Sequence, residues 1–315
     1  MEILAKHTRF RAYQLKSKGS SFSYYNGVQF VLGEARYNDD NKASILHELK
    51  VCNKTFINVL HITSWDSDHC ASADLEAILK ELKPRVIEYP GHEINKEIQN
   101  QIDCLKLITD YVNKDNKTPK TIEANSLNSQ YISKLNNAIQ WSYNNIIFNN
   151  DKNHKEENNN SNVKLFKSGS FSVLSLGDLE KKEISNWLSS FSCIKKEVDV
   201  MLLAHHGSDN GFTSTDFLDV VKPKMAISLS NWNNQHNHPS DAIIQRLRNK
   251  KIDYYSTKQG DLIIESTNDH TRKYAVWNFI ANGEKLKEAP NEYKTKRASQ
   301  ESIDKLTTAI KNMKL

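Results

Sequence analysis

The run TFINVLHIT at residues 55–63 constrains this chain more than any other stretch. It is almost continuously apolar and rich in β-branched residues, the pattern of a strand buried on both faces. Such a strand needs packed layers above and below its sheet. The run opens directly into SWDSDHC, and then into ADLEAILKEL at residues 73–82, whose apolar positions recur at helical spacing until Pro84. Strand, polar loop and helix follow one another again three times downstream. FSVLSLGD leads to a helix over 180–191, VDVMLL at 198–203 leads through AHHGSDNG to a helix over 215–221, and the strand at 225–229 leads through SNWNNQHNHPS to a helix over 241–250. That recurrence makes the chain α/β.

The flanks are simpler. Segments 10–15, 22–25 and 28–32 are β-like, with Gly19-Ser20 and Asn26-Gly27 as turn signals between them. VKLFKSG and FSVLSLGD form a hairpin around Ser168-Gly169. Between about 94 and 160 lies an insertion. Ile94, Ile98, Ile102, Leu105 and Ile108 form one helical stripe, residues 131–143 suggest a second helix, and NNDKNHKEENNNSN is too polar to bury much. We expect a domain over 1–270 that carries this insertion and a basic C-terminal extension over 271–315. The extension ends in an amphipathic helix striped by Ile303, Leu306, Ile310 and Met313.

Composition excludes several classes. No run approaches the ~18 apolar residues of a membrane helix. MEILAKHTRFRAYQ lacks the apolar core of a secretion signal, so we expect a cytoplasmic protein. The four cysteines show no C-x-x-C spacing and read as reduced thiols. The net charge of +5 resides in residues 271–315, with 10 Lys/Arg against 5 Asp/Glu, while residues 1–270 balance. A basic tail can attract polyanions; a solvated helix face is its bland alternative.

Loops after strands are where α/β proteins keep ligands, and four of them carry donors here. Ser64 to His69 offers the oxygen and nitrogen donors of a divalent-cation site, but serves equally well as the cap of the next helix. Asp178 lies just past a strand, where Gly-Asp is also a common turn. His205 and His206 are adjacent after an apolar strand; one can bind metal while the other meets substrate, and Gly207 permits a turn at positive φ. His236 and His238 precede a helix, either to meet a phosphoryl oxygen or within a capped surface loop.

Together and in this order, the four loops resemble the metallo-β-lactamase fold, and more narrowly the hydrolase domain at the C-terminal end of ComEC-type DNA-uptake proteins. The S/T-H-x-D/H-x-D-H loop of those proteins is matched by Thr63 to His69. Their N-x-S and L-x-G-D-x-E pair is matched by Asn159–Ser161 and Leu176 to Glu180. Ala204–Ser208 matches A/P-H-H-G-S, Asn234–Pro239 loosely matches N-x-x-x-H-P, and Tyr255–Leu262 matches a closing pair of strands. The resemblance covers roughly residues 9–266. It implies a four-layer αββα sandwich with the helical, Asn-rich insertion and a C-terminal helical tail. It also implies that Asp68 and His69 bind one metal, that Asp178 binds or bridges, that His205 or His206 completes the shell, and that His238 contacts substrate or its leaving group.

The departures are specific. Ser64 stands where the family has its first histidine, and Asp66 where it has its second. Leu32-Gly33-Glu34 lacks the aspartate of the I-D-x-G turn, and Lys18-Gly19-Ser20-Ser21 only echoes G-Q-G-D-S/A. The resemblance therefore implies one firm metal site, for zinc or manganese, and a weakened second one involving Asp66. His92 reads as a surface histidine and His61 as a core or hydrogen-bonded one. The implied activity is a phosphodiesterase acting on DNA, with Asp68, Ser64 and His238 at the reaction centre. The alternatives are a small-molecule metallohydrolase, or a catalytically degenerate subunit of a larger assembly, such as a phage-defence system. A protein partner would then dock through the insertion or the C-terminal helix.

Overall fold

The computed structural model describes residues 7–114, 123–126, 145–148, 154–231, 234–267, 273–279 and 291–296. The expected helix at 131–143 and the terminal striped helix lie outside these residues.

Two sheets stack face to face. The first has nine strands: β1 (Arg9–Ala12), β2 (Phe22–Tyr25), β3 (Phe30–Gly33), β4 (Val59–His61), β5 (Val86–Tyr89), β6 (Glu123–Ser126), β13 (Leu262–Thr267), β14 (Lys273–Asn278) and β15 (Asn291–Lys294). Their order is β15-β14-β13-β1-β2-β3-β4-β5-β6. The second sheet has β7 (Ile146–Phe148), β8 (Val163–Phe166), β9 (Val173–Ser175), β10 (Val200–Leu202), β11 (Met225–Ser228) and β12 (Asp253–Ser256), in the order β12-β11-β10-β9-β8-β7. β3 to β6 run parallel, as do β9 to β12. Their carboxyl ends meet on one rim.

Helices cover both outer faces. α1 (Lys42–Val51), α2 (Ser72–Ala77, continued by a π-turn over Ile78–Leu82) and α3 (Gln99–Lys114) pack on the first sheet through Ile45, Leu75, Ile78 and Cys104. α4 (Lys182–Leu188), α5 (Ser192–Glu197), α6 (Thr215–Val221) and α7 (Asp241–Asn249) pack on the second through Leu188, Ile194, Phe217 and Leu247. A third apolar cluster, including Phe10, Phe22, Phe166, Phe171 and Ile264, fills the space between the sheets. Three separate cores define four layers, αββα. Each fully buried Leu, Ile or Phe contributes ~1.5–3 kcal/mol relative to exposure.

Local chemistry explains the boundaries. The β2–β3 hairpin turns at Asn26-Gly27, where Gly27 takes φ 86° and the Asn26 carboxamide oxygen accepts the amides of Val28 and Gln29. The long apolar run 55–63 contributes only Val59–His61 to the ladder; residues 55–58 enter through bends, with Thr55 exposed. The helix expected over 180–191 is shorter, α4 at Lys182–Leu188; Phe191, extended at φ −78° and ψ 130°, separates it from α5, which begins only at Ser192. Between the sheets the Glu88 carboxylate takes a hydrogen bond from Lys164 Nζ and lies 2.9 Å from His61 Nδ1, so His61 is a hydrogen-bonded core residue. At the far edge, the Tyr293 hydroxyl of β15 donates to Asp253 at 2.7 Å and lies 2.9 Å from the Tyr255 hydroxyl, tying the edge of the first sheet to β12.

Candidate metal centre

The carboxyl ends of the parallel strands bring Asp68, His69, Asp178 and His206 together, with one ligating atom from each within 4.8 Å of the others. The first two follow β4, Asp178 follows β9, and His206 follows β10. Asp68, His69 and Asp178 are each no more than 4% exposed.

The backbone of each loop is shaped for this. The helix-cap alternative for SWDSDH is not realised: Ala71 occupies the cap position of α2, without a side-chain bond. Instead the amides of His69 and Cys70 both bond the Asp66 carbonyl, and this tight turn frees the Asp68 and His69 side chains for the rim. Gly177 adopts φ 54°, and a Cβ there would stand 2.8 Å from Ser161 Cβ. The N-x-S segment holds this loop from below: Ser161 Oγ accepts the Asp178 amide, and Asn159 Oδ1 accepts those of Glu180 and Lys181. His205 and His206 both sit at left-handed φ, 45° and 54°, a conformation that costs about 1–3 kcal/mol per residue and points the adjacent rings apart.

That divergence separates the two histidines left open by sequence. The His206 Nδ1–H donates to the Leu229 carbonyl at 2.7 Å, leaving Nε2 to face Asp68 Oδ2 at 3.6 Å and Asp178 Oδ1 at 3.7 Å. His205 turns away, its Nδ1 2.8 Å from Glu180 Oε1 and its ring 5.6 Å from that of His238. The His238 amide and carbonyl are both held by the Asn234 side chain. Asp66 also stays outside the cluster, half-buried. Its carboxyl is raised by burial, then by the charges of Glu157 and Asp68. Ser64 is buried, and its Oγ accepts the Asp66 amide at 3.2 Å. His92 is half-buried outside the cluster, and burial lowers its pKa to about 4.

Sequence reasoning missed one residue. Glu34, just past β3 at φ 68°, is 2% exposed. Its Oε1 accepts the Thr63 hydroxyl at 2.6 Å and lies 3.2 Å from His69 Nδ1, while Oε2 accepts the Thr63 amide at 3.0 Å. Its signal was present: the turn Leu32-Gly33-Glu34 occupies the place of an I-D-x-G turn, with a carboxylate one position later. Lys18 Nζ reaches Asp68 Oδ2 at 3.0 Å from the solvent side.

The donor set fits a divalent cation. Each cluster histidine has Nδ1 engaged by an acceptor, which leaves Nε2 aimed inward. His69 Nε2, His206 Nε2 and Asp178 Oδ1 are buried and make no hydrogen bond, although His69 Nε2 and Asp178 Oδ1 are only 2.9 Å apart. Converging, misaligned, buried donors of two nitrogens and two carboxylates suit zinc or manganese. Without a cation, the charges settle by protonation. Burial alone would push His69 down, but Asp178 and Glu34 outweigh it and hold the imidazole well above its ordinary range. Burial would raise Asp178, but His69 and His206 bring it to about 2. Asp68 is likewise held low, against burial, by His206 and His69.

Comparison with solved structures agrees with this architecture. The metallo-β-lactamase fold protein YhfI from Bacillus subtilis superposes with a TM-score of 0.50, covering 83% of this chain and 100% of its own at 10% identity. The chain has the metallo-β-lactamase fold. A mutant of the CmlA β-hydroxylase matches at TM-score 0.51 over 82% of this chain and 54% of its own, at 8% identity. Its name shows that the metallo-β-lactamase fold alone does not determine a reaction. No protein-family profile matches the chain. In sequence, 107 residues are 35% identical to ComE operon protein 3 of Bacillus subtilis, and 113 residues are 27% identical to competence protein ComA of Neisseria gonorrhoeae. These stretches are 34% and 35% of this chain but only 13% and 16% of those relatives.

Proposed function

We propose that this chain is a metal-dependent phosphodiesterase that cleaves DNA. The observation that carries the proposal is the buried convergence of Asp68, His69, Asp178 and His206 on the rim of a metallo-β-lactamase fold. Similarity to a ComE operon protein and a competence protein supports DNA as the substrate. When bound, a divalent cation supplies Lewis-acid charge for a phosphodiester and acidifies water.

The chain's own residues do the rest. Asp68, His69, Asp178 and His206 hold the cation, and Glu34 orients His69. The Lys18 ammonium, at the solvent side of Asp68, attracts the phosphate. His205, its Nδ1 beside Glu180 Oε1, hydrogen-bonds the leaving oxygen. His238 faces the same opening; burial and then the neighbouring His205 lower its pKa to about 4, so it is neutral at pH 7 and can accept or donate a hydrogen bond there. Ser64 acts on the loop rather than on the substrate.

The test is a cleavage assay on single- and double-stranded DNA and RNA in manganese, magnesium and zinc, with Asp68→Ala beside the wild type. Cleavage lost in the variant supports the proposal. Bound metal with no cleavage of any nucleic acid overturns it. The charge balance of residues 1–270 favours a second reading, hydrolysis of a small phosphodiester; turnover of a chromogenic diester without cleavage of DNA would establish it.

A further inference from the structure

The rim opposite the metal centre is a lysine face. In the second sheet, α5, α6 and α7 run back from the carboxyl rim and re-enter β10, β11 and β12, so their exit loops line up side by side at the strands' amino ends. The last turn of α5 carries Lys195 and Lys196, and the two neighbouring loops carry Lys222 with Lys224 and Lys250 with Lys251. The Lys224 amide and carbonyl bond Asp199 and Asp253, which makes the three loops lateral neighbours. β15 adds Lys294, and Lys296 beyond it donates its amide to Asp199 and its ammonium to the Val221 carbonyl at the end of α6.

Among the described residues, Lys195, Lys196, Lys222, Lys224, Lys251 and Lys294 are exposed, and none has a carboxylate within ion-pair distance; Lys250 pairs with Asp219. Lysines at helix C-termini offset the helix dipole, which accounts for Lys195, Lys196 and Lys222. It does not account for Lys224, Lys251 and Lys294, which lie past the helix ends. Crowding like charges on one edge costs stability unless a polyanion meets them. Burial, and beyond it the charges of Lys224 and Lys222, bring Lys296 down to about 8 even against Asp199.

We infer that this lysine face binds the phosphate backbone of the nucleic acid whose other part reaches the metal centre. The inference rests on the proposed phosphodiesterase reading and narrows its substrate to a polymer. Lysines are point charges without the fork that reads bases, so the contact is sequence-independent. Strands β10 to β12 lie ~4.8 Å apart, so three lysine pairs span about 10 Å, the reach of a few successive phosphates. From Lys224 to Leu229 the strand rises about 17 Å at ~3.3 Å per residue. At ~3.4 Å per stacked nucleotide, a chain touching both rims is about five nucleotides long, and longer where it rounds the sheet edge. A dinucleotide cannot use the face; a long strand can.

The experiment compares wild type with two variants: one with Lys195, Lys196, Lys222, Lys224 and Lys251 all replaced by Gln, and a control with Lys50, Lys54, Lys80, Lys83 and Lys96 replaced by Gln. Binding of an oligothymidine of about 30 nucleotides is titrated against salt in chelator, where no turnover occurs. Neutralising five contacts lowers the magnitude of the salt slope by up to about 3.5 for a single strand, and the control leaves it unchanged. In manganese, the first variant loses activity on long DNA while turnover of bis(p-nitrophenyl) phosphate stays the same. Equal losses in both variants, or an unchanged slope, overturn the inference. So does polyglutamate, or a vesicle of anionic lipid, that competes as well as DNA. A wild type that cleaves nothing but binds DNA through these lysines would sink the phosphodiesterase proposal and leave the binding face standing.

Discussion

Glu34→Gln isolates the residue that orients the metal centre without touching its donors. The carboxylate of Glu34 accepts the Thr63 hydroxyl at 2.6 Å and the Thr63 amide at 3.0 Å, and lies 3.2 Å from His69 Nδ1, which also hydrogen-bonds Thr63 Oγ1 at 3.1 Å. A glutamine has the same shape but one oxygen. If that oxygen faces the Thr63 hydroxyl and His69, its NH2 opposes the Thr63 amide; if it is flipped, the NH2 opposes His69. Either way a donor meets a donor in a pocket only 2% exposed. The His69 ring then loses the carboxylate beside Nδ1 and keeps only the Thr63 Oγ1, 3.1 Å away, to hold its orientation toward Asp178. Partners of this kind are worth 10–100-fold in metal affinity, or about 1.4–2.7 kcal/mol. Calorimetric titration of manganese or zinc into the metal-free variant measures this directly, with circular dichroism to confirm the fold. Glu34→Asp, one methylene shorter, restores charge but not reach and lies between. Unchanged affinity in Glu34→Gln would refute the argument that Glu34 orients His69.

Three further outcomes follow from the same geometry. Asp178→Asn removes a buried donor shared by His69 and His206, so stoichiometric metal binding and turnover are both lost; a variant that still binds one metal per chain contradicts the cluster. Gly177→Ala forces a Cβ into left-handed backbone 2.8 Å from Ser161 Cβ, displacing the Asp178 loop. It destabilises the fold by about 1–3 kcal/mol and weakens metal binding together, and an effect on neither would show that the loop has room. Acid destabilises the metal-free protein through Glu88: burial would raise its carboxyl, but Lys164 and His61 bring it down from 4.5 to about 2. Its contribution, on the order of 3 kcal/mol, is present above about pH 4.5 and lost as pH falls toward 2. Buried His61, pushed below its ordinary 6.5, acts in the same direction from about pH 6.5 downward. Denaturant titrations between pH 7 and pH 3 therefore show falling stability, and Glu88→Gln flattens the lower part; an unchanged slope in that variant removes Glu88 from the account.

Much of this was legible along the chain. Periodicity alone placed the buried strand at β4, the recurring strand–loop–helix units, and the order of the four donor loops, because burial on one face or both imprints a local pattern. Donor types at strand ends marked Asp68, His69 and Asp178 as candidates, since few buried positions tolerate such residues without a partner. Element ends were less legible: the run 55–63 contributes only Val59–His61 to the ladder, and of the helix over 180–191 only Lys182–Leu188 forms, with a second short helix beginning at Ser192.

What tertiary structure alone decided is which donors face one another. His205 and His206 are chemically identical neighbours, and partners distant in sequence, the Leu229 carbonyl and the Ser20 hydroxyl, orient one ring into the cluster. Asp66 and Asp68 are two residues apart, yet a turn closed on the Asp66 carbonyl sends one inward and leaves the other outside. Glu34 and His69 are far apart in sequence and meet because β3 and β4 are parallel neighbours whose carboxyl ends share a rim. The lysine face arose in the same way, from three loops that only the parallel sheet sets side by side. A sequence records what each residue can do. The hydrogen bonds and strand pairings that aim it come from partners brought close only when the layers pack.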